Sequence, residues 1–420
     1  MAKQVFRIAP SPTGELHIGT LGMALVNYMM AKASGGKFLI RIDDTDTART
    51  IEGAEKRLLE GLGKFGIVFD NPKNILRQSE RGDIYKKVAE DLVKRNLAYH
   101  DDGAIRLRAP QNKEPIKWDD MARGAMSLPA IDRDPVILKS NGLPPYSLGH
   151  IIDDTEMGTT VAVRGEEWIA STNEHIQLYN AVYNKDVFKK TIPTAWKYCH
   201  IPVICILDNG NKRKLSKRKD REALVENFLT EGYPTRAVIE YLLTIYNTDY
   251  EIWREQNPNV DWRKFNFRSE KIGSNSPLFD RDKLDSIARN IIAEMTMKEL
   301  EPEVRNHFGD KLSEEQYKNV FTLLAIDRGT ERPRKDICKY SEILTEFDYL
   351  FKPVKMTPLL KKYAELISGV SDKDTWFPLV KEKATDFGFK NVREFTQAVR
   401  VELTVREKST DLYTISKILL

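Results

Sequence analysis

Cysteine is scarce in this chain: Cys199, Cys205 and Cys338 are the only three among 420 residues. Their spacing fits neither a disulfide framework nor a C-x-x-C metal knot, so a reducing compartment and buried, inert thiols are expected. Long apolar runs are lacking as well. No window reaches membrane-spanning length, and Met1-Ala2-Lys3-Gln4 leads straight into a strand without the apolar core of a signal peptide. A cytoplasmic protein with no membrane attachment is the expectation. Neither a repeat nor a low-complexity tract occurs, which excludes solenoid and linker-type chains. An excess of one charge sign is also missing: 66 Lys and Arg against 62 Asp and Glu give a formal net charge of +4. That balance permits a polyanionic partner without demanding one. What remains, 41% hydrophobic and 30% charged residues, describes an ordinary globular chain long enough for several domains.

Two short segments carry chemistry. Val5 to Ala9, then Pro10-Ser11-Pro12-Thr13-Gly14, then Leu16 to Thr20 with a helical period at Leu21, Ala24, Leu25, Tyr28 and Met29, reads as strand, turn and helix. Gly35-Gly36 closes the helix, and Lys37 to Ile42 reads as a second strand ending in Asp43-Asp44-Thr45-Asp46. Such a βαβ unit opens nucleotide-binding folds. His17-Ile18-Gly19-Thr20 then falls at the helix N-terminus, where backbone N–H groups attract an anion, Gly19 permits close approach and His17 can donate to a phosphate oxygen. The second segment, Lys214-Leu215-Ser216-Lys217-Arg218, lies 197 positions later (214 minus 17), after the apolar run Ile201 to Leu207. Alone, each is unremarkable: a histidine beside apolar residues is ordinarily a satisfied core side chain, and a basic loop is ordinarily just solvated. In this order, together, they point to ATP-dependent activation of a carboxylic acid.

Four stretches extend the pattern: Arg7 to Gly19, Gly36 to Asp46, Asp153-Asp154 with Met157-Gly158, and Arg164-Gly165-Glu166-Glu167-Trp168. With them the chain resembles the class I aminoacyl-tRNA synthetases, whose signatures are of His-Ile-Gly-His and Lys-Met-Ser-Lys-Ser type. More narrowly it is similar to the bacterial glutamyl-tRNA synthetase family, over about the first 300 residues. The resemblance implies an α/β Rossmann-type catalytic domain with an α/β acceptor-binding insertion, followed by all-α stem-contact and anticodon-binding domains. The expected boundaries are 1–78 and 146–233 for the two catalytic halves, 79–145 for the insertion, 234–305 for the stem-contact domain and 306–420 for the anticodon-binding domain.

The residues themselves support this division. Ala104 to Ala109, Ile116 to Trp118 and Pro135 to Lys139 read as short strands within the insertion, and Thr172 to Tyr183 as a helix. The last third has helical periods at Leu359-Leu360, Tyr363 and Leu366 and at Phe395, Val399 and Leu403, interrupted by Gly369 and Pro378. A helical tail disagrees with the glutaminyl branch, whose anticodon domains are β-barrels, and with truncated relatives that lack such a domain. Within it, Arg332 and Arg334 are candidate anticodon-base readers, since guanidinium pairs with or stacks on bases; a solvated basic loop is the plainer reading.

By resemblance, the reaction ligates L-glutamate to the 3′ end of tRNA(Glu) through a glutamyl-adenylate. His17, Lys214 and Lys217 are then the catalytic groups. The ATP site comprises His17, Gly19, Thr20, Glu167, Trp168, Ile204, Lys214, Leu215, Ser216 and Lys217. The amino-acid site comprises Arg7, Ser11, Asp43, Tyr146, His150 and Arg164, with the two arginines on the side-chain carboxylate and Ser11 and Asp43 on the amino group. ATP comes with Mg²⁺. No zinc is expected, because Tyr99 to Pro135 contains no cysteine. A monomer is expected, with tRNA, glutamate and ATP as partners. Thr20, Asp43, Pro145 and His150 depart from the residues usual in the family. A divergent paralogue charging a non-standard tRNA or an acidic analogue, and a catalytically inactive tRNA-binding paralogue, therefore remain open.

Overall fold

Strand β1 (Val5–Ile8) pairs in parallel with β2 (Lys37–Ile42) in the register Phe6 to Phe38 and Ile8 to Ile40, with helix α1 (Ile18–Ala33) between them in sequence. Helix α1 begins where His17 caps it and ends before Gly35, whose φ of 61° only glycine adopts at no steric cost. At Gly36 an added Cβ would lie 1.9 Å from the Gln4 carbonyl oxygen, so a side chain there would break the junction into β2. Nearly every apolar residue of α1 is buried, and the helix packs on β1, β2 and the later strand Val161–Gly165.

The computed structural model describes residues 3–46, 49–183, 196–216 and 219–420. They divide into two compact units, Met1–Phe228 with Val238–Arg281, and Leu229–Ala237 with Asp282–Leu420. In the first unit the chain continues through α2 (Ala54–Lys64), β3 (Leu76–Arg77), α3 (Gly82–Lys94), β4 (Ala98–Asp101), β5 (Ala104–Leu107), β6 (Ile116–Asp120), β7 (Gly124–Leu128) and β8 (Val136–Leu138). It then forms α4 (Tyr146–Glu156), β9 (Val161–Gly165), α5 (Thr172–Tyr183), β10 (Lys197–Ile201), β11 (Cys205–Asp208) and β12 (Asn211–Lys214).

The main sheet has the order β3-β2-β1-β9-β10-β6-β7, parallel except for the terminal β6/β7 hairpin. A separate three-stranded sheet, β4-β5-β8, carries the rest of the segment between the two halves. The strand expected at Ile116 to Trp118 therefore joins the main sheet through Tyr198 and Asp120. Parallel strands covered on both faces are near-continuous apolar runs, and Phe6, Ile8, Ile40, Val161, Val163 and Ile201 fit that rule. Arg7, Arg41, Arg164 and His200 break it while fully buried.

The second unit is helical. Met297–Phe308, Glu314–Leu324, Pro358–Ile367, Lys373–Lys383, Val392–Thr404 and Leu412–Leu419 surround a core that includes Leu300, Val304, Phe321, Tyr363, Phe395, Val399 and Ile415. Capping boxes Thr296/Glu299 and Ser313/Gln316 start the first two. Pro378, expected as a breaker, instead lies inside Lys373–Lys383. Trp376 and Val380 on either side of it are buried in the core, and Asp372 caps the Thr375 N–H at 2.8 Å. Core packing thus outweighs the hydrogen bond that proline removes. No helix among the described residues is long and apolar enough to cross a membrane. All three cysteines are free and buried.

Candidate active site

Strand order reverses between β1 and β9, and open α/β sheets bind ligands beyond the carboxyl ends of their strands at such a point. A cavity of about 700 Å³ opens there, walled by the ends of β1, β2 and β9, the start of α1 and the end of the β11/β12 hairpin. His17 is the N-cap of α1, and its Nδ1 accepts the Gly19 N–H at 3.2 Å. A neutral ring held this way carries its proton on Nε2. Gly19 and Thr20 line the cavity beside it.

On the β1 side, Arg7 donates Nε and Nη2 to Asp154 at 2.8–3.1 Å and Nη1 to the Val163 carbonyl at 3.1 Å. Asp154 also takes Arg41 Nη1 at 2.6 Å, and Arg41 holds both oxygens of Asp43 at 2.6 and 3.0 Å. Burial opposes ionisation of Asp154, but Arg7 and Arg41 outweigh it and keep its carboxyl well below the usual range. Burial dominates at Asp43, whose carboxyl is raised despite Arg41. Arg7 thus reaches the cavity already neutralised by a carboxylate.

Arg164 differs. Its Nε donates to His200 Nε2 at 2.9 Å, its Nη1 meets His175 Nδ1 at 2.7 Å, and its Nη2 donates to Thr172 Oγ1 at 2.9 Å. The Tyr198 ring lies 4.5 Å beneath the guanidinium. Every one of these partners is uncharged, since a ring nitrogen that faces a guanidinium N–H must accept; burial holds His175 and His200 below the ordinary imidazole value, aided by the charge of Arg164 and, at His200, against the pull of its hydrogen bond to Asp120. Among the described residues no carboxylate pairs with Arg164, although it is only 4% exposed. Three of its five N–H bonds are used, one on each nitrogen, which leaves one on each terminal nitrogen.

At the other end of the cavity, β11 and β12 form a hairpin whose turn residues Asn209 and Gly210 both have positive φ, as the tight turn requires. The hairpin presents Lys214, which forms an ion pair with Glu167, and buried Leu215, whose N–H donates to Ile204 at 3.0 Å. Glu167 can fold over the end of β9 because Gly165 has no Cβ; one added there would sit 2.0 Å from its Oε2. Asp220 anchors the loop by accepting the Ser216 N–H and two Arg213 nitrogens, each at 2.7 Å. Hydrogen bonds from Arg213 pull Asp220 down to about 2.

Arg7, Ser11, His17, Gly19, Thr20, Asp43, Tyr146 and Arg164 therefore share one cavity with Glu167, Trp168, Ile204, Lys214 and Leu215. His150 does not reach its wall. It lies beneath, with Nδ1 2.5 Å from Asp154 and its ring stacked on Tyr146 at 5.2 Å. Ser216 stays outside the lining, and Lys217 falls outside the described residues. Arg332 and Arg334 belong to the helical unit, where Arg332 is exposed and Arg334 is paired with Asp336. No group of three metal-ligating side chains occurs among the described residues. Sequence reasoning missed His175, His200, Asp120 and Tyr246. The signal for His200 was an imidazole inside the apolar run Tyr198 to Ile201; Tyr246 leans on α1 only because Gly22 has no side chain, a Cβ there lying 2.6 Å from its ring.

Three buried imidazoles around this cavity make stability depend on pH. His150 is lowered to about 3 by burial, against the pull of Asp154, and His175 and His200 are lowered in the same direction. Below about pH 6.5 the unfolded chain binds protons that the native rings refuse. Stability is therefore lost as pH falls from 6.5 toward 5, by ~1.4 kcal/mol per pH unit for each histidine engaged. Urea unfolding across this window measures it, and an unchanged midpoint contradicts three neutral native imidazoles.

Comparison with known proteins agrees with this architecture. The family model for the class I tRNA synthetases (E and Q), catalytic domain, matches residues 3–104 and 101–257. Proteins named glutamate–tRNA ligase from Clostridium perfringens SM101 and Clostridium beijerinckii are each 32% identical over 99% of this chain and 91% of their own length. The fold is similar to the crystal structure of a glutamate tRNA ligase from Elizabethkingia meningosepticum in complex with its amino acid. The TM-score is 0.82 at 23% identity, covering 100% of this chain and 97% of that one.

Proposed function

Because the chain belongs to the class I tRNA synthetases of the glutamate and glutamine branch, we propose that it ligates L-glutamate to tRNA(Glu) through a glutamyl-adenylate. The observation that carries the choice of amino acid is Arg164, a buried cation whose partners are all neutral. A substrate carboxylate supplies the missing charge and fills the two remaining N–H groups. The amide of glutamine would bring N–H groups toward N–H groups and leave that charge uncompensated, at several kcal/mol.

With the side chain held at Arg164 and Arg7, and the amino group at Ser11 and Asp43, the α-carboxylate is turned toward the nucleotide. ATP lies with its phosphates at the α1 N-terminus, where backbone N–H groups and the His17 Nε2–H meet charge that grows as the α-phosphorus becomes pentacoordinate. Glu167, Trp168 and Ile204 hold the adenosine. Lys214 and Lys217 neutralise the departing pyrophosphate, Lys214 exchanging Glu167 for phosphate oxygens. Mg²⁺, accompanying the ATP, would supply further neutralisation of phosphate charge when bound. No covalent enzyme intermediate arises; a ribose hydroxyl of the terminal tRNA adenosine attacks the carbonyl carbon of the mixed anhydride, the acyl–phosphate bond breaks and AMP leaves. Catalysis is positioning and electrostatics.

In the same reading residues 79–145 hold the acceptor end, 234–305 contact the stem and 306–420 bind the anticodon, with Arg332 and Arg334 as base contacts, in a cytoplasmic monomer. Charging total tRNA with labelled glutamate and with labelled glutamine, alongside ATP–pyrophosphate exchange, tests the proposal. Glutamate-dependent charging of glutamate tRNA is the expected result. Exchange with no amino acid at any tRNA concentration would overturn it.

A further inference from the structure

Behind Arg164 stands a pair that the reaction above does not use. His200 is the register partner of Arg164 on the neighbouring strand, and Asp120 is the partner of Tyr198 one strand further out. Asp120 Oδ1 accepts the backbone N–H groups of Ala122, Arg123 and His200, all at 3.1 Å, so its carboxylate cannot rotate. Its Oδ2 lies 2.5 Å from His200 Nδ1. All three side chains are at most 4% exposed.

We propose that Asp120 and His200 are positioning residues of the amino-acid site: Asp120 holds the imidazole protonated at Nδ1, so that Nε2 accepts from Arg164 Nε and sets the plane in which Arg164 offers its last two N–H groups to a substrate carboxylate. The inference rests on the glutamate reading above. A carboxylate directly on Arg164, as Asp154 is on Arg7, would compete with substrate for donors and charge. Placing an imidazole between them fixes the guanidinium while leaving both available. The ring nitrogen that faces Arg164 must be an acceptor, and which nitrogen carries the proton is set by the partner of the other.

Asp120→Asn tests this. Asparagine keeps the size and the Oδ1 acceptor, but its amide donates to Nδ1. That moves the ring proton to Nε2, where it faces the Arg164 Nε–H donor to donor. The KM for glutamate in tRNA charging is expected to rise about tenfold or more, the loss of one hydrogen bond to a charged group, with KM for ATP unchanged. Adding His200→Gln to that variant returns an acceptor and is expected to lower the KM again. In the unaltered protein, nitrogen-labelled histidine NMR is expected to find His200 protonated at Nδ1, a readout independent of how the variants fold. Protonation at Nε2 overturns the proposal. So does an unchanged glutamate KM in Asp120→Asn, or a fall in thermal midpoint with glutamate and ATP KM rising together. An unaltered protein that charges no tRNA with glutamate overturns the function on which it rests.

Discussion

Arg164→Ala is expected to raise the KM for glutamate by about 10²–10³-fold, the scale for losing a doubly hydrogen-bonded charge pair in a dry site. The prediction is clean because of what the truncation leaves behind. His175, His200 and Thr172 lose a donor but carry no charge, so no buried ion is stranded, and the fold loses less than it would at Arg7. Arg7→Ala is a poorer probe: it would leave Asp154 with only Arg41 as a charged partner beside the His150 ring and lower stability together with activity. Arg164→Lys keeps the charge but not the fork of donors, and an intermediate KM is expected. The KM for ATP should change far less, since among the described residues Lys214, Leu215 and the α1 N-terminus make no hydrogen bond or ion pair with Arg164. Steady-state charging with each substrate varied in turn measures both, and an unchanged glutamate dependence removes Arg164 from the pocket.

His17→Asn is expected to slow adenylate formation by about 10²–10³-fold, the usual consequence of removing one oriented donor from a developing charge. Asparagine is chosen because it is among the best N-cap residues. His17 caps α1 by accepting the Gly19 N–H, and asparagine can accept in its place. The helix start, with its N–H groups directed at the phosphates, should survive while the Nε2–H donor is lost. Single-turnover formation of adenylate with ATP and glutamate saturating reads the step directly. A rate within experimental error of the parent would show that the helix terminus alone meets the phosphates.

Much of this was legible in order and spacing. The strand, turn, helix and second strand from Val5 to Ile42 lie where periodicity puts them, because strongly apolar runs bounded by glycine leave little choice. Thr172–Tyr183 is a helix as its pattern predicts. Less legible was the β6/β7 hairpin, which leaves its local sheet to extend the main one; short strands of similar propensity do not announce their partners. Pro378 misled for a related reason, since its cost is local and the burial of Trp376 and Val380 that offsets it is not.

Local chemistry therefore determined which groups this protein brings to a reaction: an anion-binding helix start, a basic loop and two arginines in motif positions. Only the tertiary structure decided what each charge is worth. Arg7 and Arg164 are alike in the chain, yet one meets a carboxylate and the other three neutral acceptors, from residues 8 to 147 positions away. In a buried site the net charge left for a ligand depends on those partners, and they are assembled by strand order and register, to which no local stretch of sequence has access.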